Sequence, residues 1–152
     1  MKLAEALQER ADLNRKIDEL RARLQNQALV QEGEKPAEDP DALLREMTES
    51  LDRLEYLMRQ INKTNGVYTV EGETLTALIA RKDMLRLKQS IYRDIVHAAS
   101  QSTSRARNTE IRILPTVNVA QLQKEADALS KALRLVDNRI QQANWMAELI
   151  EE

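Results

Sequence analysis

The feature that most constrains this chain is a run of apolar residues, in its second quarter, that alternate three and four positions apart. On a helix this spacing places side chains along one line, the a and d positions of a heptad, which faces a partner helix. The run consists of Leu44, Met47, Leu51, Leu54, Met58 and Ile61. We therefore predict a helix over residues 40–61 with this line as its buried seam.

Three further segments carry similar patterns and are predicted as helices over residues 2–30, 75–101 and 119–148. The stripe of the first segment, which Arg10 interrupts, consists of Leu3, Ala6, Leu13, Ile17, Leu20 and Leu24. The stripe of the last segment consists of Leu122, Ala126, Leu129, Leu133, Val136, Ile140, Ala143 and Ala147. Residues 75–101 carry two apolar lines: Leu78, Leu85, Tyr92 and Ala99, and Met84, Leu87, Ile91, Ile95 and Ala98. Because a helix with two apolar lines contacts two neighbours, we expect this one to lie centrally or at a subunit interface.

Residues that favour helix ends stand between these segments. A helix start is capped by a side chain that accepts a hydrogen bond from the backbone of the first turn, and proline suits the first helical position. The predicted starting residues are Asp39 with Pro40, Thr74, and the pair Asn118 and Gln121. Gly66, in the sequence NKTNG, is predicted to end the second helix in a left-handed conformation.

Two short β-branched segments, residues 67–70 and 110–114, are predicted as strands. The sequence EGE after the first is typical of a turn, and Pro115 ends the second or places it at a sheet edge. Because the two segments bracket the third helix, we expect them to pair into a ribbon at one of its ends. The predicted fold is mainly α: a single domain over 1–152 with four long antiparallel helices, arranged as a bundle or as coiled-coil hairpins, and a small two-stranded β ribbon.

Charge and composition exclude several classes of function. The 23 basic and 25 acidic residues leave a net charge of −2, so no overall positive charge attracts nucleic acid or anionic lipid. There is no cysteine for a disulfide or a thiolate site. The N-terminal sequence MKLAEALQERADLNRK becomes charged too early for a secretory signal, and no apolar run approaches the roughly 20 residues of a spanning helix. We expect a cytoplasmic protein without membrane insertion or a nucleic-acid partner.

An acidic loop, residues 30–39, separates the first two predicted helices. Asp39 is explained by helix capping, which leaves Glu32, Glu34 and Glu38 without a local role. These carboxylates are candidate ligands for a hard cation such as Ca²⁺ or Mg²⁺. The preferred alternative is an ionic contact from Glu32 and Glu34 to a basic helix face, at Arg21 or Arg23 of this chain or its equivalent in a neighbouring copy.

Little in the sequence indicates catalysis. His97 is the only histidine, which excludes single-chain sites that need two imidazoles. Asp94 lies one turn before it and forms a candidate metal pair with it, although a solvated surface pair is the preferred interpretation of the spacing. Three scattered glycines form no phosphate loop. We therefore predict no cofactor and no enzymatic activity.

Trp145 is the only tryptophan and lies off the apolar seam of the last helix. Because aromatic residues are enriched in interface cores, it is a candidate oligomer contact. Packing at the end of the helix is the alternative interpretation.

Several segments, taken together, point to a family. The opening MKLAEALQERADLNRKI, the loop ALVQEGEKPAEDP, the segment GETLTALIARKD and the late dipeptide NW resemble the septicolysin-like family of small bacterial helical proteins. The resemblance extends over nearly the whole chain. It implies a helical fold and, through the family's name, a cytolysin, and it assigns no catalytic residues.

The surplus of apolar helix surface, combined with sparse site chemistry, predicts a non-enzymatic helical bundle that self-associates and serves as a structural or interaction module. Two alternatives stay open. One is a septicolysin-like, membrane-acting cytolysin, and the other is a metal-dependent enzyme that uses the acidic loop.

Overall fold

The computed structural model describes residues 1–101 and 111–152. In these ranges the chain is mainly helical, with a small antiparallel sheet, as predicted. The elements are α1 (Leu3–Asn26), α2 (Pro40–Val67), β1 (Thr69–Val70), β2 (Glu73–Thr74), α3 (Leu75–Ser100) and α4 (Val119–Met146). The chain divides into two compact units, of which unit 1 comprises residues 1–68 and 143–152 and unit 2 comprises residues 69–142. A single domain over 1–152 stays a prediction.

Unit 1 is built on an antiparallel pair of helices, α1 and α2. The side chain of Asp39 accepts a hydrogen bond from the backbone N–H of Asp41, and Pro40 is the first residue of α2, so the predicted helix start is confirmed. Buried leucine, isoleucine and alanine side chains of both helices form the core: Leu3, Ala6, Leu20, Leu43, Leu57 and Ile61. Ion pairs join the helices at two levels, Glu9 with Arg53 and Lys16 with Glu46, and a third pair, Arg23 with Glu38, joins α1 to the loop before α2.

The C-terminal segment, residues 147–152, completes unit 1 by joining the start of α1 to the end of α2. The backbone N–H of Leu3 donates to the carbonyl of Ala147 (3.0 Å), and that of Leu149 donates to the carbonyl of Met1 (2.9 Å). The backbone N–H of Ile150 donates to the Thr64 hydroxyl (2.9 Å). Ala147 and Leu149 are buried, so this segment forms part of the core of unit 1.

Unit 2 begins with a two-residue β-hairpin turn. Glu71 and Gly72 both have positive φ, the conformation that matches the twist of paired strands, and they connect Val70 to Glu73. Thr74 then caps α3 by accepting a hydrogen bond from the N–H of Ala77, as predicted. The core of this unit is small: Leu75, Leu78, Ala126, Val136 and Ile140.

Helices α3 and α4 of unit 2 run antiparallel and are joined by polar contacts. Lys82 lies 2.6 Å from Asp137, and the Gln89 amide donates to the hydroxyl of Ser130 further along the pair. The Asn118 side chain accepts from the N–H of Gln121, which confirms the predicted start of α4. A half-buried polar pair such as Gln89 and Ser130 fixes the register of two helices because any shift leaves its donor without an acceptor.

The predicted pairing of strands 67–70 and 110–114 is wrong. Residue 110 lies outside the described part of the chain, and residues 111–114 form no strand. Instead, Thr69 pairs with Thr74 and Val70 with Glu73. A partner across a two-residue turn costs far less loop-closure entropy than one some forty residues away, so the local hairpin forms instead.

The predicted ends of three helices also differ from the structure. Gly66 does not end α2, which runs on to Val67. The reason is tertiary: Ile61 and Thr64 are buried, and Thr64 binds the C-terminal segment, so the last turn is held in place. Conversely, α1 ends at Asn26 rather than near residue 30, where Leu29 and Val30 are exposed. Without burial, β-branched and loop-favouring residues do not extend a helix. The last helix ends at Met146 rather than 148 because residues 147–149 bond to residues 1–3 instead.

The buried line of α2 is displaced by one residue from the predicted seam. Leu43, Ser50, Leu57 and Thr64, seven residues apart, are buried, whereas Leu44, Leu51 and Met58 are about half exposed. Only the Met47, Leu54 and Ile61 side of the predicted seam faces inward. Adjacent positions lie about 100° apart around a helix, so Leu43, Ser50 and Leu57 take the places predicted for Leu44, Leu51 and Met58, and Thr64 continues this line. Each hydroxyl donates to the carbonyl four residues earlier, which satisfies it inside the helix.

Candidate functional site

One apolar line of α3 is exposed along most of its length. Met84 is 59% exposed, and the exposure decreases through Leu87 and Ile91 to 37% at Ile95. The other predicted line packs as expected, with Leu78 buried and Leu85, Tyr92 and Ala99 half-buried. We refer to Met84, Leu87, Ile91 and Ile95 as the α3 apolar face. The helix therefore carries both predicted apolar lines, but only one of them is covered in this chain.

Charged residues border the α3 apolar face with opposite signs on its two edges. At 3.6 residues per turn, Asp83 and Asp94 lie on one edge, and Arg81 and Lys88 lie on the other. Arg81 is 2.7 Å from Glu73, and the Lys88 ammonium lies 5.7 Å from the centre of the Tyr92 ring. Within the described part of the chain, neither Asp83, Asp94 nor Lys88 has an ion-pair partner. These three charges are therefore available to a partner at the edges of the face.

An open depression extends the α3 apolar face at the C-terminal end of the helix. It has a volume of about 640 Å³ and is lined by Ile95, Ala98 and the segment 113–117. Ile113, Leu114 and Val117 of that segment are exposed, so apolar surface continues from the helix onto the chain that leads to α4. Its lining is mostly apolar and includes His97 at the edge.

The acidic loop contacts α1 through Glu38 rather than through Glu32 or Glu34. The Arg23 guanidinium donates to both carboxylate oxygens of Glu38, with Nε 3.1 Å from each. This hydrogen bond lowers the pKa of Glu38, and the carboxylate in turn raises the pKa of Arg23. Glu38 is placed for the contact because it precedes the Asp39 cap and its N–H donates to the Gln27 side chain.

Glu32 and Glu34 are exposed on a turn in which the N–H of Glu34 donates to the carbonyl of Gln31. In the part of the chain that the structure describes, neither carboxylate has an ionic partner, and Arg21 is likewise exposed. The predicted contact therefore forms at Arg23 alone, with a different glutamate. A contact of Glu32 or Glu34 with a neighbouring copy stays a prediction.

The candidate metal ligands do not converge. Over residues 1–101 and 111–152, no three histidine, aspartate or glutamate side chains are close enough to hold one ion. Asp94 and His97 are both exposed, and the His97 Nε2 lies 3.5 Å from the Gln101 amide rather than against Asp94. Glu38 is occupied by Arg23. The described geometry offers no cation site at either candidate location.

Trp145 is 53% exposed at the end of α4, next to the exposed Met146. Neither of the two sequence-based interpretations, an oligomer contact or packing at the helix end, is decided by this exposure.

The described helices include none that is both long and apolar enough to cross a membrane.

Some features of these surfaces were not predicted from the sequence. The ion pairs between α1 and α2, Glu9 with Arg53 and Lys16 with Glu46, join residues thirty or more positions apart, so no local spacing reveals them. The pairing of the N-terminus with the C-terminal segment is equally remote, with Lys2 2.5 Å from Glu148. The segregation of acid and base on α3 was readable from the helical wheel, but its meaning depended on knowing which line is exposed.

Comparison with known proteins identifies relatives but no activity. Residues 10–149 match the model of a family of unknown function (DUF6847). A solved relative is described as the crystal structure of a functionally unknown conserved protein from Corynebacterium diphtheriae. It is 38% identical, covers 99% of each chain and superposes with a TM-score of 0.94. No curated protein matches the chain.

Proposed function

Because the chain belongs to DUF6847, a family of unknown function, we propose its role from geometry: it is a non-enzymatic module that self-associates through the α3 apolar face. The observation that carries this proposal is the exposed line of four large apolar side chains on a single helix. Soluble proteins seldom leave such a line uncovered unless another surface binds it. The proposed module acts in the cytoplasm, in keeping with the cysteine-free, near-neutral composition.

The energetics favour a reversible assembly. Burying the exposed half of a leucine, isoleucine or methionine side chain contributes about 1 kcal/mol. Eight such side chains in a symmetric pair would contribute about 8 kcal/mol, whereas association costs about 4–15 kcal/mol. Apolar burial therefore does little more than offset the cost of association. We expect affinity to depend on the charged edges as well, and the assembly to dissociate on dilution.

Solution mass tests the proposal directly. Light scattering coupled to size-exclusion chromatography, over a concentration series, should show a mass above that of the 17.4 kDa chain which decreases on dilution. Leu87→Glu should shift the protein to monomer because it places a charge in the middle of the face. Leu135→Glu is the matched control, since Leu135 is exposed to nearly the same extent (51% against 53%) but lies on α4 nearly three turns away from the exposed Trp145 and Met146.

A strictly monomeric wild-type protein throughout the micromolar range would contradict the proposal. So would equal effects of Leu87→Glu and Leu135→Glu on mass, since the face would then have no special role. Far-UV circular dichroism confirms that each variant has kept its helices.

A septicolysin-like lytic activity is the second candidate function, and the charge of α3 favours it. The helix combines the α3 apolar face with an excess of bases over acids, namely Arg81, Lys82, Arg86, Lys88 and Arg93 against Asp83 and Asp94. Basic amphipathic helices bind anionic membrane surfaces. Leakage of dye from vesicles that contain anionic lipid would support this function if Leu87→Glu reduces the leakage. Vesicles that stay intact over a range of pH and lipid charge would contradict it.

A further inference from the structure

We propose that the α3 apolar face takes a second copy of this chain whose α3 runs parallel to the first, so that Asp83 of each copy pairs with Lys88 of the partner subunit. This inference rests on the proposed self-association and adds the identity and direction of the partner helix.

The spacing along the exposed side of α3 suits a parallel helix pair. Ala77, Ala80, Met84, Leu87 and Ile91 are exposed and keep the alternating steps of a heptad, in which Met84 is an a position and Leu87 is a d position. The small residues Ala77 and Ala80 allow close approach near the start of the helix. The next d position is the charged Asp94, and Ile95 lies one position beyond it, so we expect the helix contact to run from Ala77 to Ile91 and to end there.

The charged edges select the direction of the pair. Asp83 immediately precedes Met84 and is a g position, whereas Lys88 immediately follows Leu87 and is an e position. In a parallel pair, each g residue faces the e residue five positions later on the partner, so Asp83 meets Lys88 of the partner subunit twice in a symmetric dimer. Within the described residues, both side chains lack an ion-pair partner in the single chain.

An antiparallel pair brings like edges together. With residues 77–91 overlapping themselves in reverse, Arg81 would lie beside Lys88 of the partner subunit, and the two copies of Asp83 would lie along the same edge, two positions out of register. Like charges at such positions destabilise a pair and so act against this arrangement. Between Ala77 and Ile91, the parallel arrangement pairs the same residues without repulsion.

The two opposite edges also argue for a copy of this chain over other occupants. An anionic membrane or an acidic peptide would be attracted by Arg81 and Lys88 but repelled by Asp83 and Asp94. A surface that carries one acidic and one basic edge is complementary to itself after a twofold rotation. A second copy is therefore the partner whose charges match both edges at once.

Charge reversal tests the pairing. Asp83→Lys and Lys88→Asp should each weaken the dimer about tenfold, because two symmetric ion pairs become repulsive contacts. The double variant, Asp83→Lys with Lys88→Asp, should restore the dissociation constant to within about threefold of wild type, as both pairs re-form with exchanged signs. Sedimentation equilibrium gives the constants, and circular dichroism checks that all three variants fold.

A single cysteine tests the direction independently, since the natural chain has none. Ala80→Cys places a thiol at a d position, which faces its own copy across a parallel pair within disulfide distance. In the antiparallel overlap, residue 80 would face residue 88, and no link should form. Mild oxidation should therefore yield a disulfide-linked dimer for Ala80→Cys but not for Ala128→Cys, which is exposed on α4.

The outcomes separate the two proposals. A dimer in which the double variant is restored and Ala80→Cys cross-links supports the parallel pair. A dimer that fails either readout overturns the parallel pair but leaves self-association standing. A monomeric wild-type protein overturns both.

Discussion

The two units of this chain cover their apolar surface to different extents, although each is built on an antiparallel helix pair. In unit 1, ion pairs join α1 to α2 at two levels and to the loop before α2 at a third, and the C-terminal segment inserts Ala147 and Leu149 into the core. In unit 2, few large side chains are buried, and α3 keeps the α3 apolar face exposed. The contrast indicates that unit 1 contributes most to stability, whereas unit 2 carries the surface that we propose for interaction.

The largest expected effect is the removal of a core side chain from unit 1. Leu57 is completely buried, so Leu57→Ala should lower the free energy of unfolding by about 2–5 kcal/mol through lost burial and the cavity left behind. Leu51→Ala, on the half-exposed line nearly two turns earlier, is the matched control and should cost well under half as much. Urea unfolding followed by circular dichroism measures both. Equal losses would show that the predicted seam, and not the displaced one, carries the packing.

The next effect should come from the contact between α2 and the C-terminal segment. Thr64→Val keeps the side-chain shape but removes the hydroxyl that accepts from Ile150, leaving a half-buried N–H without an acceptor. We expect a loss of about 1–2 kcal/mol in the free energy of unfolding. Thr64→Ser should retain more of the stability because it keeps the oxygen. Faster amide exchange at Ile150 in the valine variant, but not in the serine variant, would locate the effect, and identical exchange would contradict it.

Acid should weaken unit 1 more than unit 2. Hydrogen bonds to Arg53, Arg23 and Lys2 lower the pKa of Glu9, Glu38 and Glu148, respectively, all in unit 1. In unit 2, a hydrogen bond from Lys82 lowers the pKa of Asp137.

A carboxyl group whose pKa is lower in the folded state stabilises the fold above its unfolded pKa of about 4, and this contribution disappears as pH falls through the folded value. Tm should therefore be nearly constant between roughly pH 6 and 8. It should decrease once the pH is below about 4.5. If unit 1 unfolds first in acid, Glu9→Gln should reduce the loss of Tm at low pH more than Asp137→Asn does. A larger effect of Asp137→Asn would show that unit 2, with α3 and α4, is the weaker unit.

The smallest expected change in Tm distinguishes the glutamates of the acidic loop from one another. Glu38→Gln removes the carboxylate that accepts from Arg23 and should lower Tm by a small but measurable amount. Replacing Glu32 and Glu34 together by glutamine should leave Tm unchanged, because both are exposed on the turn. A changed solution mass in that double variant would instead support a contact with a neighbouring copy.

Local chemistry explains which parts of the fold were predictable. The starts of α2, α3 and α4 were predicted because Asp39, Thr74 and Asn118 act on backbone groups two or three residues away. The turn at Glu71 and Gly72 is equally local. The end of α2 was not predictable from Gly66, since the packing of Thr64 against a segment more than eighty residues away overrides the preference of the glycine.

The candidate surface was predicted in part. The sequence showed two apolar lines on α3 but not which of them would be covered, and the acidic loop suggested a contact to Arg23 without indicating Glu38 as its partner. For Glu32, Glu34, Asp94 and His97, the sequence offered ligands for a cation, but convergence in space is a property of the fold, and the described side chains do not converge.

By itself, the sequence determined that this chain forms four long helices, where most of them begin, and that it carries more apolar helix surface than one pair of helices can cover. Those features follow from period, capping and composition, which act over a few residues. Only the tertiary structure decided that α2 packs through Leu43 and Leu57 instead of Leu44 and Met58, and that the outer line of α3 stays exposed. Adjacent positions on a helix are nearly equivalent until a partner arrives, and the contacts with that partner select the rotation.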